Sequence, residues 1–254
     1  MQNPRRPLIT GASSGIGEAL AMAYAGPGVS LALTGRDAAR LETVAIACRQ
    51  RGATVHAATV DVTDADAMAR WIDALDVTEP IDLVIANAGI GAGTEGGFET
   101  AEQTRAVFAV NLGGVLNTVL PLIPRFVARR RGQIALMSSL ASFRGFAGAP
   151  TYCASKAAVR IWGEGLRGDL HQHGVEVSVI CPGFVVSRMT ARNKFRMPFL
   201  MSADRAAALV KRGLAHNRGR IAFPFPMYFA ICLIATLPPL LTDPLFRMLP
   251  KKGS

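Results

Sequence analysis

The sequence predicts an α/β fold: one doubly wound parallel sheet of about seven strands in a single domain, continued by an apolar C-terminal extension. Three observations predict it. Short apolar runs alternate with longer helix-forming stretches from the first residues onward. Those runs are apolar at consecutive positions, the mark of strands covered on both faces. A glycine-rich turn, "TGASSGIG" (10–17), joins the first run to the first helix. At 254 residues, half of them hydrophobic, the chain fits one domain of this class. That domain is assigned to 1–222 and the extension to 223–254.

Taken in order, "PLIT" opens the sheet and "GIGEALAMAYA" is the first helix. "VSLALTG" is the second strand, followed by a helix over 37–51. "ATVHAATVDV" reads as a strand, 64–75 as a helix and "IDLVIANAG" as a strand. A long helix is expected over about 103–131, then the strand "GQIALMSS". A helix over 151–172, the strand "VEVSVICPG", a helix over 203–215 and a short strand near "GRIAF" complete the series. Right-handed helical crossovers between parallel strands give the doubly wound topology. No repeat, low-complexity tract or linker points to a second domain.

After Arg220 the rhythm changes. Residues 223–241 carry no charge, which raises the question of a membrane span. Pro224, Pro226, Pro238 and Pro239 confine the uninterrupted helix to 227–237, about half of the ~20 residues that a crossing needs. The tail is therefore expected to dip into one leaflet or to pack at a subunit interface.

Charge is unevenly spread. Residues 1–127 hold 9 Lys/Arg against 13 Asp/Glu, whereas 128–254 hold 19 against 5. From Val186 onward the count is 12 against 2, a surplus equal to the net +10 of the whole chain. A polyanionic partner or a merely solvated basic face would each account for it. Nucleic acid is set aside, because no binding module or aromatic stripe accompanies the charge. "ARRRG" (128–132) reads as cations complementing a helix dipole. Cys48, Cys153, Cys181 and Cys232 are widely spaced, which suits thiols in a reducing compartment. With no secretory signal visible, a cytoplasmic setting is expected. "HQH" (171–173) places its histidines two apart at a helix end, so no metal site is read there.

Chemistry concentrates at a few places. In the turn 10–17, Gly11 permits a tight bend, Gly15 a close backbone approach to a ligand, and Gly17 the packing of helix on sheet. The amides of the helix that follows suit an anion such as a dinucleotide pyrophosphate. The spacing is G-x-x-x-G-x-G, so its position between strand and helix carries the argument. The second strand ends "LTGRD". Arg36 is placed for a ribose 2′-phosphate, while Asp37 either meets ribose hydroxyls or starts the next helix. In "TYCASKAAV" (151–159), Tyr152 and Lys156 stand one helical turn apart on one face. Three tyrosines and five lysines make this spacing rare by chance. Ser139 ends a strand, where such sheets host ligands, and Asn111 sits awkwardly inside a helix.

In this order, "TGASSGIG", "NAG" (87–89), Asn111, Ser139, "YCASK" and "PG" (182–183) resemble the short-chain dehydrogenase/reductase family over about residues 7 to 222. The resemblance implies a Rossmann-like fold and interconversion of a carbonyl and a secondary alcohol. It implies a catalytic set of Asn111, Ser139, Tyr152 and Lys156. Ser139 and Tyr152 would hold the reacting oxygen, Lys156 would bind the nicotinamide ribose and lower the tyrosine pKa, and Asn111 would hold a relay water. Cofactor contacts are implied for Gly11, Ser13, Ser14, Gly15, Ile16, Gly17, Arg36, Asp61, Val62, Asn87, Ala88 and Gly89. They are implied also for Tyr152, Lys156, Pro182, Gly183, Val185 and Ser187, the last where threonine is often found. Arg36 favours NADP(H) over NAD(H). The competing class is a non-catalytic NADP(H)-binding sensor or assembly subunit that uses the tail as its interaction surface.

The segment 187–203 falls where the family carries a substrate lid. Met189, Phe195, Met197, Phe199, Leu200 and Met201 make it apolar, and Arg188, Arg192, Lys194 and Arg196 make it basic. A lipophilic substrate fits that mixture, as does a lid that buries its own apolar face. Gly163, Gly165 and Gly168 in the helix after Lys156 suggest close helix–helix contact, and the family commonly pairs through this helix, so a homodimer or homotetramer is expected. Lid and tail share apolar residues beside cations, from which contact of 223–254 with the cytoplasmic membrane face is expected.

Overall fold

The computed structural model describes residues 3–91, 98–193, 195–238 and 240–243; Lys194, Pro239 and 244–254 lie outside it. Seven strands form the sheet: β1 (Pro7–Thr10), β2 (Ser30–Thr34), β3 (Thr54–Ala58), β4 (Leu83–Ala86), β5 (Gly132–Met137), β6 (Val175–Pro182) and β7 (Arg220–Phe223). Their order is β3-β2-β1-β4-β5-β6-β7, parallel throughout.

Successive strand residues feed opposite cores, which explains the unbroken apolar runs. Ile9, Leu33 and Ile85 pack with α1 (Gly15–Tyr24), α2 (Ala38–Gln50) and α8 (Ala203–Ala215) on one face. Leu8, Ala32 and Val84 pack with α3 (Ala65–Thr78), α5 (Gly114–Val119), α6 (Ile123–Arg129) and α7 (Pro150–His171) on the other. Gly163 of α7 meets this sheet, not a helix: a Cβ there would lie 2.5 Å from Leu136 Cδ1. Gly165 and Gly168 face open space.

Three expectations are corrected. The helix expected over 103–131 is segmented: α4 (Ala101–Phe108) passes through a π turn, Ala109–Gly113, into α5, and a turn separates α5 from α6. Taken together, Ala101–Arg129 is long and apolar enough for a membrane span, but it supplies one of the layers packed on the sheet. Arg129 does more than face a helix dipole: with Arg125 it binds the buried Asp76 of α3 at 3.0 and 3.1 Å. Helix α9 (Phe225–Ala235) starts two residues earlier than expected. Pro226 lies in its first turn, where the missing N–H has no intrahelical role.

Candidate active site

The strand order reverses between β1 and β4, and their carboxyl ends open the crevice where such sheets bind ligands. One wall is the turn from Thr10 to Gly17. Gly11 and Gly15 have φ of +67° and +60°, conformations that glycine adopts without strain. At Gly17 the constraint is space, since a Cβ would lie 2.2 Å from the Gly11 carbonyl oxygen. Thr10 Oγ1 accepts from the amides of Asn87 (3.0 Å) and Ala88 (3.1 Å), and Asn87 Nδ2 donates to Thr10 O at 2.9 Å. Asn87 is thus a strut under the turn. Ser14 caps α1 in backbone geometry only, its side chain making no capping bond. The first α1 amides are left to an outside acceptor, which fits the anionic centre of a dinucleotide.

The rim of this wall carries the charged residues. A Cβ on Gly35 would lie 2.8 Å from Ser13 Oγ, so the end of β2 is pressed on the turn. Asp37 accepts from Arg40 N at 3.0 Å and pairs with the Arg40 side chain at 2.6 Å, so it starts α2. Arg36 is exposed beside it. Across the rim, Asp61 accepts the Thr63 amide and hydroxyl, both at 2.9 Å. The amide bond is the main reason its carboxyl lies below the usual range; partial burial opposes this, and the Thr63 hydroxyl and Arg36 guanidinium add to it. Val62 is buried below, where a Cβ on Gly114 would come within 2.6 Å of its Cγ2. On the segment after β6, Ser187 closes on the turn: a Cβ on Gly15 would lie 3.1 Å from Ser187 Cβ.

The opposite wall is α7 with the loop after β5. The α7 N-terminus is capped from a distance, because Thr151 donates both its amide (3.0 Å) and its hydroxyl to Glu99 Oε2. Ser139, two residues past β5, hydrogen-bonds the Tyr152 side chain and accepts from Ala141 N at 3.1 Å. Lys156 is buried and donates to Met137 O at 2.8 Å, with Nζ 6.0 Å from the centre of the Tyr152 ring. Asn111 lies in the π turn, a distortion that recurs at functional sites. Its Oδ1 accepts from Ile90 N at 2.8 Å, and its Nδ2 donates to Ile90 O at 3.0 Å and to Ser155 Oγ at 3.1 Å. Ser155 in turn donates to Tyr152 O at 2.8 Å. Gly89 joins the set, for a Cβ there would lie 3.2 Å from Asn111 Oδ1 and 3.3 Å from Lys156 Nζ.

Burial governs the protonation of this wall. It pushes the Tyr152 phenol above its ordinary value, with the Ser139 hydrogen bond pulling the other way and Cys153 adding to the rise. Burial also pushes the Lys156 ammonium down to about 8, against a smaller opposing effect of Cys181. Burial is the largest cause of the tyrosine shift, and the Lys156 head, bonded to Met137 O, does not reverse it.

The structure therefore gathers Asn111, Ser139, Tyr152 and Lys156 at the ends of β4 and β5, facing the glycine turn. An open hollow of about 650 Å³ lies beyond the Ser139 loop, lined by Phe143, Phe146, Pro150, Cys153 and Ala157. Ser139, Tyr152 and Lys156 do not line it. Thr10, Ser155 and Glu99 were not singled out by sequence reasoning. Thr10 and Ser155 lie inside the motifs "TGASSGIG" and "YCASK", where a small hydroxyl next to a glycine or between tyrosine and lysine is the only signal. Glu99 left none, since its partner is 52 positions away. Among the described residues, no three His, Cys, Asp or Glu side chains form a metal cluster.

Comparison with known proteins bears on this geometry. A family model described as short chain dehydrogenase matches residues 6–196. An uncharacterized oxidoreductase of Myxococcus xanthus is 39% identical over 246 residues, covering 96% of this chain and 97% of its own. A short chain dehydrogenase/reductase from Burkholderia phymatum, solved in complex with NAD, superposes with a TM-score of 0.83 at 26% identity, covering 96% and 95% of the two chains. A short-chain dehydrogenase from Sphingobium yanoikuyae, solved in complex with NADPH, gives 0.81 at 26% identity over 98% of each. The chain belongs to the short-chain dehydrogenase family, as an oxidoreductase that works between CH–OH and C=O with a nicotinamide dinucleotide.

Proposed function

We propose that this protein interconverts a lipophilic carbonyl compound and its secondary alcohol, with NADP(H) as cofactor. One observation carries the reading: the hydrogen-bonded side chains of Ser139 and Tyr152 stand beside Lys156, Asn111 and Gly89, opposite the glycine turn. The turn 11–17 and the α1 amides would hold the pyrophosphate, Asp61 and Val62 the adenine end, and Asn87 to Gly89 with Pro182, Gly183, Val185 and Ser187 the nicotinamide end. Arg36, exposed while Asp37 is engaged in capping α2, is left to take a 2′-phosphate. When bound, the cofactor supplies or accepts the hydride.

In reduction, Tyr152 gives its proton to the carbonyl oxygen, and in oxidation it takes the proton back. Ser139 donates to that oxygen as negative charge develops. Lys156, fixed by Met137 O, offers its ammonium to the nicotinamide ribose and favours the phenolate whenever Tyr152 has lost its proton. Asn111, bonded to both backbone groups of Ile90 and to Ser155, fixes the segment beside Lys156. The relay water implied at Asn111 would rest against that frame. Lipophilicity is supported by the segment after β6, where Phe184 and Phe195 pack edge to face at 5.9 Å while Phe199 and Leu200 are exposed. A homo-oligomer suits the open Gly165 and Gly168 and the exposed Ile161 of α7. Contact of 223–254 with a membrane surface completes the reading.

A panel of carbonyl compounds with both cofactors tests it. Tyr152→Phe is expected to lose about 10²–10⁴-fold in turnover with its NADPH Kd unchanged; retained turnover rejects the acid–base assignment. Arg36→Ala is expected to raise the KM for NADPH about ten-fold and that for NADH little. Equal changes would reject the preference for NADP(H).

A further inference from the structure

We propose that Glu164, Arg160 and Arg220 form a clamp on Phe143 that positions Ser139 against Tyr152. They are positioning residues, acting through Phe143 and the turn before it, and the proposal rests on the acid–base reading above. From Ser139 to Phe143 the chain is one bonded turn. Ser142 N donates to Ser139 O at 3.0 Å, Phe143 N to Leu140 O at 3.3 Å, and Ala141 N to Ser139 Oγ at 3.1 Å. A shift of Phe143 is therefore passed on to the Ser139 hydroxyl. Three elements hold the Phe143 ring. Arg160 of α7 lies over it at 4.5 Å from the ring centre and Arg220 of β7 at 5.2 Å, while Tyr228 of α9 meets it edge-on at 5.6 Å. Arg160 Nη2 also reaches Ser142 O at 3.5 Å.

A ring face attracts a guanidinium, but two guanidiniums at one ring repel each other. The arrangement needs a shared counter-charge, and Glu164 supplies it. Both of its carboxylate oxygens accept from Arg160 Nη1 at 3.2 Å, and Oε1 accepts from Arg220 Nη2 as well. Arg220 Nη1 donates to Tyr228 Oη at 2.9 Å. The Arg160 side chain is only 16% exposed, so water screens this set less than it would a surface pair. Helix α7 carries both halves of the device. Tyr152, Lys156, Arg160 and Glu164 recur at every fourth residue, so successive members are neighbours on the helix surface. Arg160 stands about 12 Å beyond Tyr152 along this rod. The loop after β5 meets the rod twice, at Ser139 with Tyr152 and at Phe143 with Arg160. Fixing the second contact sets the first. The consequence is chemical, because the Ser139 bond is what opposes burial at the Tyr152 phenol.

Oxidation of secondary alcohols, from cyclohexanol to menthol, by the full chain with NADP⁺ tests the proposal. Glu164→Gln and Phe143→Leu cut the clamp at different points, and each is read well below its melting temperature. Both are expected to lose about ten-fold in kcat with the KM for NADP⁺ unchanged. The pH at which oxidation reaches half its limiting rate should move up, because a displaced Ser139 no longer favours the phenolate. Loss of the Glu164 charge acting through space would move it down, since the two cations left behind favour the phenolate. In a Ser139→Ala background Glu164→Gln should add neither a further loss in kcat nor a further upward shift. Normal kcat in both folded variants overturns the proposal and leaves the clamp a purely structural feature. A downward shift, or losses that add in full to that of Ser139→Ala, overturns it as well. A parent that oxidises none of these alcohols with either cofactor overturns the acid–base reading and the clamp together, whereas an active parent with unaltered variants overturns the clamp alone.

Discussion

On the cofactor side of the cleft, the turn from Thr10 to Gly17 is held by backbone and by lack of room: a Cβ at Gly11, Gly15 or Gly17 would meet Ala88, Ser187 or the Gly11 carbonyl. On the side of α7, the groups are held by buried polar bonds: Lys156 to Met137, Asn111 to Ile90 and Ser155, Ser155 to Tyr152, Thr151 to Glu99. Steric constraint is nearly all-or-none, because packed backbone cannot give way by half a methyl group. Polar burial is graded, and it responds to pH. The two walls should therefore fail differently when perturbed.

The largest effect is expected at Gly17→Ala. Its methyl group would overlap the Gly11 carbonyl and come within 2.6 Å of Asn87 Nδ2, so strut and turn must both shift. Overpacking of this kind costs about 1–3 kcal/mol in stability. If the strain falls on the turn itself, about 3 kcal/mol corresponds to a roughly hundred-fold weaker Kd for NADPH. Calorimetric titration reads it, and wild-type affinity would show that the turn yields and that the contrast between the walls is overstated.

Next comes Lys156→Met, which acts on the graded wall. Burial lowers the lysine from 10.5 to about 8. Between those two values the unfolded chain binds a proton that the folded chain lacks, so this group's contribution to stability rises with pH across the window. Below about pH 8 both states are charged, and the folded state bears the full cost of the buried ammonium. Relative to wild type, the variant should therefore gain roughly 2–3 kcal/mol in going from pH 10.5 to pH 7. Comparing the pair cancels the other groups that titrate in this range, such as Cys181 and Tyr24, both raised by burial. A difference that is flat with pH, measured by denaturant unfolding, would mean that the ammonium is well solvated and that this wall is not governed by burial.

The same contrast explains what could be read from the chain beforehand. Steric requirements write themselves locally: glycines at 11, 15 and 17, apolar runs for the strands and a tyrosine one turn before a lysine are visible without knowing any partner. The seven strands, the helices α7 and α8 and the gathering of Asn111, Ser139, Tyr152 and Lys156 follow from such marks. Polar burial depends on pairings far apart in sequence, which leave no local mark. Thr151 with Glu99 and Asn111 with Ile90 are separated by 52 and 21 positions, and no periodicity announces them. The break in the helix expected over 103–131 belongs here too, because Asn111 and its partners stabilise a π turn that propensity alone would not favour. The start of α9 differs for another reason: proline marks a boundary in the interior of a helix, but the first turn accepts it.

The smallest effect, and the sharpest test of the graded wall, is expected at Ser155→Ala. Ser155 is fully buried; its hydroxyl accepts from Asn111 Nδ2 and donates to Tyr152 O. Alanine leaves Asn111 Nδ2 with only the Ile90 carbonyl and removes a bond from the α7 backbone one residue before Lys156. A loss of about 1 kcal/mol is expected, which for a chain of this size lowers Tm by about 2–4 °C. Cofactor binding should not change, since the turn and its strut are untouched. If Ser155 does no more than fill its place, kcat follows stability and is normal well below Tm. If it keeps Asn111 in register with Lys156, kcat falls several-fold at temperatures where the variant is fully folded, with the KM for NADPH unchanged. Steady-state kinetics far below the transition separates the two outcomes. A normal kcat there would make Ile90 the sole effective anchor of Asn111 and reduce the polar wall to independent bonds.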